Sequence, residues 1–147
     1  MTETTPYPRA EVEAAYQAFV AAGDAGDWDR WAELHTEDCE WVEHHYGTIV
    51  GRDAIRSTIT ALMAPVPMMQ FPVEWHVIEG NRVVFFPWQV FPDPKGGDAD
   101  YRFACITVLE YAGNGQFSRQ EDVYNPAEGN EVFKRWIKAG GRMPGAK

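Results

Sequence analysis

The chain has 147 residues, 45% hydrophobic and 14% aromatic, which suits one globular domain spanning residues 1–147 and leaves no length for a second. Thirteen basic against 22 acidic residues give a formal net charge of -9, which repels phosphate backbones and anionic lipid and argues against nucleic-acid or membrane partners. The opening MTETTPYPRAEVE lacks a basic-then-apolar leader, and no run approaches the roughly 20 apolar residues of a membrane helix, so a cytoplasmic protein is expected.

Pro8 suits a first helical turn, and Val12, Ala15, Tyr16, Phe19 and Val20 share a stripe, predicting a helix over about 8–22 that Gly23 closes. Asp27 caps a short second helix in which Trp28, Trp31 and Ala32 share a face. CEWVEHHY (39–46) alternates as a strand, TIV follows the turn at Gly47, and Ile55, Ile59, Leu62 and Met63 mark a third helix that Pro65 ends. Four strand-like runs come next: QFPVEWHVIEG, RVVFFPWQVFP, YRFACITVLEY and QFSRQEDVYN. The turns EGNR and AGNGQ make hairpins of the first and last pairs, and the polar DPKGGDAD reads as a mobile loop at a cavity mouth. Asn125 and Pro126 open a closing helix with Val132, Phe133, Trp136 and Ile137 as its buried stripe. Residues 1–7 and 140–147 are expected to fray. This order predicts an α+β domain with helices on one face of a mixed, mostly antiparallel sheet. Cys39 and Cys105, with no CxxC or zinc-like spacing, read as buried small hydrophobes.

The order, together with the stretches GDWDRWAELHTEDCEW, GTIVGRDAIR and EDVYNP, resembles the SnoaL-like polyketide cyclases of the nuclear transport factor 2 superfamily. The resemblance spans nearly the whole chain. It implies a curved, cone-shaped sheet wrapped by three N-terminal helices with a short C-terminal helix, an apolar pocket, and a homodimer. Relatives include ketosteroid isomerases, scytalone dehydratases, limonene epoxide hydrolases and non-catalytic binders, so the fold alone names no reaction.

Strand parity selects the candidate residues. Cys39, Trp41, Glu43 and His45 share one face of the first strand, and Ser118, Gln120, Asp122 and Tyr124 share one face of the last. Glu43 falls where the resemblance to ketosteroid isomerases places a general base, which favours its face as the interior. A carboxyl group among aromatic walls is desolvated, which raises its pKa toward the range of an acid/base catalyst. Glu43 and His45 are therefore either a second proton-handling pair or a pair that closes a strand end. Asp122 resembles the closing-strand acid/base aspartate of polyketide cyclases and limonene epoxide hydrolases; alternatively it anchors the adjoining helix or loop through backbone hydrogen bonds. Tyr124 is either an oxyanion donor or a core tyrosine with a satisfied hydroxyl.

Departures from the specialised relatives are specific. Phe19 and Phe103 stand where ketosteroid isomerases keep a tyrosine and an aspartic acid as oxyanion donors, and the Arg-x-Asp pair of limonene epoxide hydrolases is replaced by FFPWQVF. Trp41, Trp88, Phe103, Phe19 and Tyr16 are the expected substrate-binding wall. A metal is disfavoured because His44 and His45 point to opposite strand faces. His76 is expected on the outer face, opposite Phe71, Val73, Trp75 and Val77. The expectation is a cofactor-independent enzyme, using no metal, that performs proton transfer on a hydrophobic ring-bearing carbonyl compound by cyclisation, isomerisation or dehydration. The alternative is a non-catalytic binding or dimerisation module of the same fold.

Overall fold

A computed structural model describes residues 7–145. Helix α1 (Arg9–Asp24) buries Val12, Ala15, Tyr16, Phe19 and Ala22, a spacing of three and four that lays one stripe on the sheet. It runs through Gly23 and unwinds at Gly26, whose φ of 65° is the left-handed conformation glycine adopts without a Cβ penalty. Helix α2 (Trp28–Glu33) starts where the Asp27 carboxylate accepts from the Arg30 N–H at 3.0 Å. Strands β1 (His35–Glu43) and β2 (Gly47–Val50) form a hairpin, and α3 (Arg52–Met63) buries Ile55 and Ile59 beneath them.

Strands β3 (Val73–Glu79), β4 (Arg82–Pro87), β7 (Cys105–Tyr111) and β8 (Phe117–Tyr124) complete a six-stranded sheet of order β2-β1-β8-β7-β4-β3. Among the described residues only the β1–β8 pair is parallel, so the sheet is mixed, and it does not close into a barrel. Two runs expected to be continuous break in the middle. RVVFFPWQVFP divides at Trp88 into β4 and β5 (Gln89–Phe91), and YRFACITVLEY divides at Ala104 into β6 (Tyr101–Phe103) and β7. The hairpin thus bends at Pro87, which has no N–H for a ladder bond, and β5–β6 leaves as a separate two-stranded sheet. Helix α4 (Pro126–Lys138), capped by the Asn125 side chain, packs on that flap.

The main core lies between α1, α2, α3 and the inner sheet face, with Tyr16, Phe19, Trp31, Trp41, Phe85, Tyr111 and Phe117 as its large members. A second cluster of Phe91, Val132 and Trp136 holds the flap to α4, and the Trp136 indole N–H donates to the Pro92 carbonyl at 2.9 Å. Of the ends expected to fray, residues 1–6 and 146–147 lie outside the described residues. Tyr7 packs edge-on against Tyr111 at 4.9 Å, and Gly141 donates its N–H to the Trp136 carbonyl, so order extends further at both ends than the composition suggested. Cys39 and Cys105 are both buried and unbridged.

The candidate active site

Alternation in β1 and β8 sets the inner face. Cys39, Trp41 and Glu43 are buried, with Glu43 only 5% exposed, while Val123 on the opposite face of β8 is 51% exposed. In the parallel ladder Glu43 stands beside Asp122, and in the antiparallel one Thr107 stands opposite it. The two carboxyl groups therefore start one strand spacing apart, about 4.8 Å at the backbone. They border a cavity of about 320 Å³ that Phe19, Trp31, Trp41, Phe71, Phe103 and Tyr124 also line. That volume is at the lower end of the range for small-molecule sites, roughly 300–1,000 Å³. Its charged lining residues are Asp24, Glu43 and Asp122; no lysine, arginine or histidine joins them among the described residues.

Asp122 is held entirely by side chains. Oδ2 accepts from the Trp41 indole N–H at 2.7 Å and from the Gln120 amide at 3.0 Å, and Oδ1 accepts from the Thr107 hydroxyl at 2.7 Å. The alternative of an anchor in backbone hydrogen bonds is not what these contacts show. Burial pushes the Asp122 carboxyl up, its three donors pull the other way, and the Glu43 carboxyl beside it adds to the rise. Glu43 accepts at both oxygens, from the Tyr124 hydroxyl at 2.7 Å and from the His45 backbone N–H at 2.7 Å. Burial, then the hydrogen bond and charge of Glu43, push the Tyr124 phenol up, so it remains a donor. Every buried side-chain nitrogen and oxygen among the described residues has a partner.

Four expected placements change. β1 ends at Glu43 and residues 44–46 turn, so His45 loses strand parity; its ring is exposed and packs on Tyr46 at 4.6 Å, leaving only its backbone N–H on Glu43. Tyr16 is 2% exposed in the core, between His76 at 4.7 Å and Phe85 at 5.1 Å, and does not border the cavity. Trp88 sits at the bend, where its indole donates to Glu74 at 3.2 Å and Arg102 covers its ring at 4.2 Å. A bulge between Val73 and His76 reverses β3, so His76 packs inward on Tyr16 while Trp75 and Val77 are 42% and 55% exposed. His44 does turn outward, to Glu121 at 2.8 Å. Trp41, Phe103 and Phe19 border the cavity.

Two polar residues escaped the sequence reading, Thr107 and His35, and a third, Gln120, was placed on the Asp122 face without a role. All are buried, His35 completely, with Nδ1 3.1 Å from the Trp31 carbonyl and Nε2 2.8 Å from Gln120 Oε1. The available signals were a threonine inside the apolar alternation Cys105, Leu109, Tyr111, and a histidine one helical turn after Trp31. Burial pulls the His35 imidazole down despite its hydrogen bonds, so it stays neutral where an exposed histidine charges.

Asp122 and His35 act on stability with opposite sign. Asp122, raised in the fold, contributes stability that is complete below about pH 4 and is lost as pH rises toward its folded pKa; His35, lowered, contributes stability that is lost as pH falls below about 6.5. Asp122→Asn removes the first effect. Its stability relative to wild type should therefore improve with rising pH above about 4, by at most ~1.4 kcal/mol per pH unit, in urea unfolding. A difference that is constant with pH, or of the reverse slope, refutes this assignment.

Residues 16–120 match the SnoaL-like domain. TerC co-crystallised with polyporic acid is 19% identical, covering 84% of this chain and 98% of that one, with a TM-score of 0.69. A candidate SnoaL-like polyketide cyclase from Shewanella denitrificans is 15% identical over 87% of this chain and 99% of its own, also at a TM-score of 0.69. An epoxide hydrolase of the limonene epoxide hydrolase type from M. tuberculosis is 19% identical, covering 88% and 94%, with a TM-score of 0.66. Identities this low establish a shared fold. No curated protein matches. No helix among the described residues is long and apolar enough to cross a membrane. The match extends from the middle of α1 to Gln120 in β8, over the helices, the parallel pairing and most of the cavity wall, and on that basis the chain belongs to the SnoaL-like family.

Proposed function

We propose that the protein is a cofactor-independent acid/base enzyme that isomerises, cyclises or dehydrates a compact, ring-bearing carbonyl compound. The observation that carries this reading is a half-buried carboxyl group, Asp122, bordering an aromatic cavity with a second, buried carboxyl and a phenol beside it. Asp122 is the principal acid/base: as the acid it protonates a carbonyl or departing hydroxyl oxygen, and as the carboxylate it takes a proton from the adjoining carbon. Tyr124, polarised by Glu43, is the second donor, turning from Glu43 to a substrate oxygen. Trp41, Phe103 and Phe19 supply the apolar wall. His45, Tyr16 and Trp88 have no part in this scheme, because their side chains lie away from the cavity.

Proton transfer is testable without the natural substrate. β-Tetralone, a bicyclic ketone with acidic α-hydrogens, should exchange those hydrogens for deuterium in heavy water faster with the protein than without it. Saturable binding with no exchange above background favours the competing reading, a binding module. Phe19 and Phe103 speak for that reading, since neither supplies the oxyanion donor of the isomerases. We also propose a homodimer joined through the outer sheet face, where Trp75, Val77 and Val123 are exposed. Sedimentation should then show a dimer that Trp75→Glu dissociates; a monomeric wild type contradicts it.

A further inference from the structure

From Asp122 at the cavity wall a chain of polar atoms runs inward to the fully buried His35: Asp122, Gln120, His35, Trp31 carbonyl. The links are 3.0 Å, 2.8 Å and 3.1 Å long. A count of donors and acceptors restricts what this chain can hold. A carbonyl oxygen only accepts, so His35 Nδ1 carries a hydrogen. His35 Nε2 then has two options. Either it carries a second hydrogen and donates to Gln120 Oε1, in which case the amide NH₂ faces Asp122 and an ionised carboxylate must receive it. Or it is bare and receives from the amide NH₂, in which case the amide oxygen faces Asp122 and the carboxyl must be the acid that donates to it. The two arrangements differ by a half-turn of the Gln120 amide and by the end at which the proton lies. In both, His35 Nε2 and Asp122 Oδ2 carry one proton between them. With none, or with two, one edge of the amide faces a group of its own kind inside the core, leaving a buried polar group unsatisfied.

We propose that His35, Gln120 and Asp122 form a proton-sharing unit that holds a single proton, whose position is set by the orientation of the Gln120 amide. Its catalytic meaning rests on the role proposed for Asp122; the proton count does not. A proton given by Asp122 to substrate leaves the unit with none, so the unit is biased to take one back. That suits an isomerisation or cyclisation, in which a proton is delivered at one substrate atom and recovered from another. His35 touches no cavity surface and is a positioning residue.

The groups facing the unit shift its midpoint without altering the count. Glu43 from β1, and Cys105 and Thr107 from β7, face Asp122, with Tyr124 beyond Glu43. Arg52 from α3 donates to the His35 carbonyl at 2.8 Å and disfavours positive charge on the ring; Phe19 from α1 packs on it at 5.8 Å. The amide as placed, with Oε1 toward His35 and NH₂ toward Asp122, is the first arrangement; the form without charge separation, neutral His35 and acid Asp122, requires its half-turn.

The full chain, labelled for nuclear magnetic resonance, reads both ends directly near pH 7. The Asp122 carboxyl carbon reports acid or carboxylate, and the His35 Nε2 resonance reports a protonated or bare nitrogen. An acid with a bare nitrogen, or a carboxylate with a protonated one, is a count of one. A carboxylate with a bare nitrogen, or an acid with a protonated one, overturns the proposal. Gln120→Met removes the amide and with it the coupling. It should shift the Asp122 midpoint by about one pH unit or more, a tenfold change in proton affinity, and abolish any His35 response to Asp122 ionisation. Unchanged midpoints and an unchanged response in that variant also overturn it. No substrate is needed, so loss of the proposed enzymatic reading leaves this measurement standing, and the reverse holds.

Discussion

Asp122→Asn should lower turnover of an exchanging ketone by roughly a hundred- to ten-thousand-fold, the range a positioned proton-transfer group contributes, while the protein stays folded. The substitution is nearly isosteric. The amide it introduces keeps an oxygen for the Thr107 hydroxyl or the Trp41 indole, each of which now donates to the carboxyl at 2.7 Å. What disappears is the ability to give up and regain a proton. The expected signature is a fall in kcat with binding retained, because the aromatic wall is untouched. Tyr124→Phe should do less, since it removes a donor while Asp122 remains. If Asp122→Asn exchanges deuterium at the wild-type rate, proton transfer at this carboxyl is excluded.

The largest stability loss is expected from Phe117→Ala, at ~3–5 kcal/mol, out of a total that for such domains is ~5–15 kcal/mol. Phe117 opens β8, is completely buried, and packs edge-on against Phe19 at 6.0 Å and Tyr111 at 5.6 Å. Its backbone N–H reaches the Leu34 carbonyl at 2.8 Å, and it stands beside His35 in the β1–β8 register. Truncation leaves a cavity where helix α1, strand β1 and strand β7 meet, and it loosens the parallel pair on which the site is built. Chemical unfolding should show this loss, whereas a cost under ~1 kcal/mol would mean that the core collapses into the space.

Much of this was legible in the residues. CEWVE alternates cleanly and Gln120, Asp122 and Tyr124 keep a period of two at the end of β8, so the inward placement of Trp41, Glu43, Asp122 and Tyr124 follows from parity, and the helices follow from stripes such as Val12, Ala15, Tyr16 and Phe19. The departures share a cause: parity holds only while a strand stays regular. His45 was placed by extending β1 two residues beyond its last strand residue, Glu43. A bulge exchanged the faces of Trp75 and His76, and the bend at Pro87 moved Trp88 off the wall. Tyr16 failed for another reason. It lies on the buried stripe of α1 together with Phe19, but at the part of the stripe that meets β3 and β4, and not the cavity. His35 and Thr107 became visible only through their partners, because their contacts join residues as many as 85 positions apart in sequence.

Chemistry at Asp122 requires a ligand sitting against it, and the structure of the protein soaked with β-tetralone tests that most directly. The ketone is expected inside the aromatic cavity, with its carbonyl oxygen or α-carbon within about 3.5 Å of an Asp122 oxygen or the Tyr124 hydroxyl. A ketone bound elsewhere, a cavity left empty, or a ligand whose only neighbours are the apolar walls would contradict it.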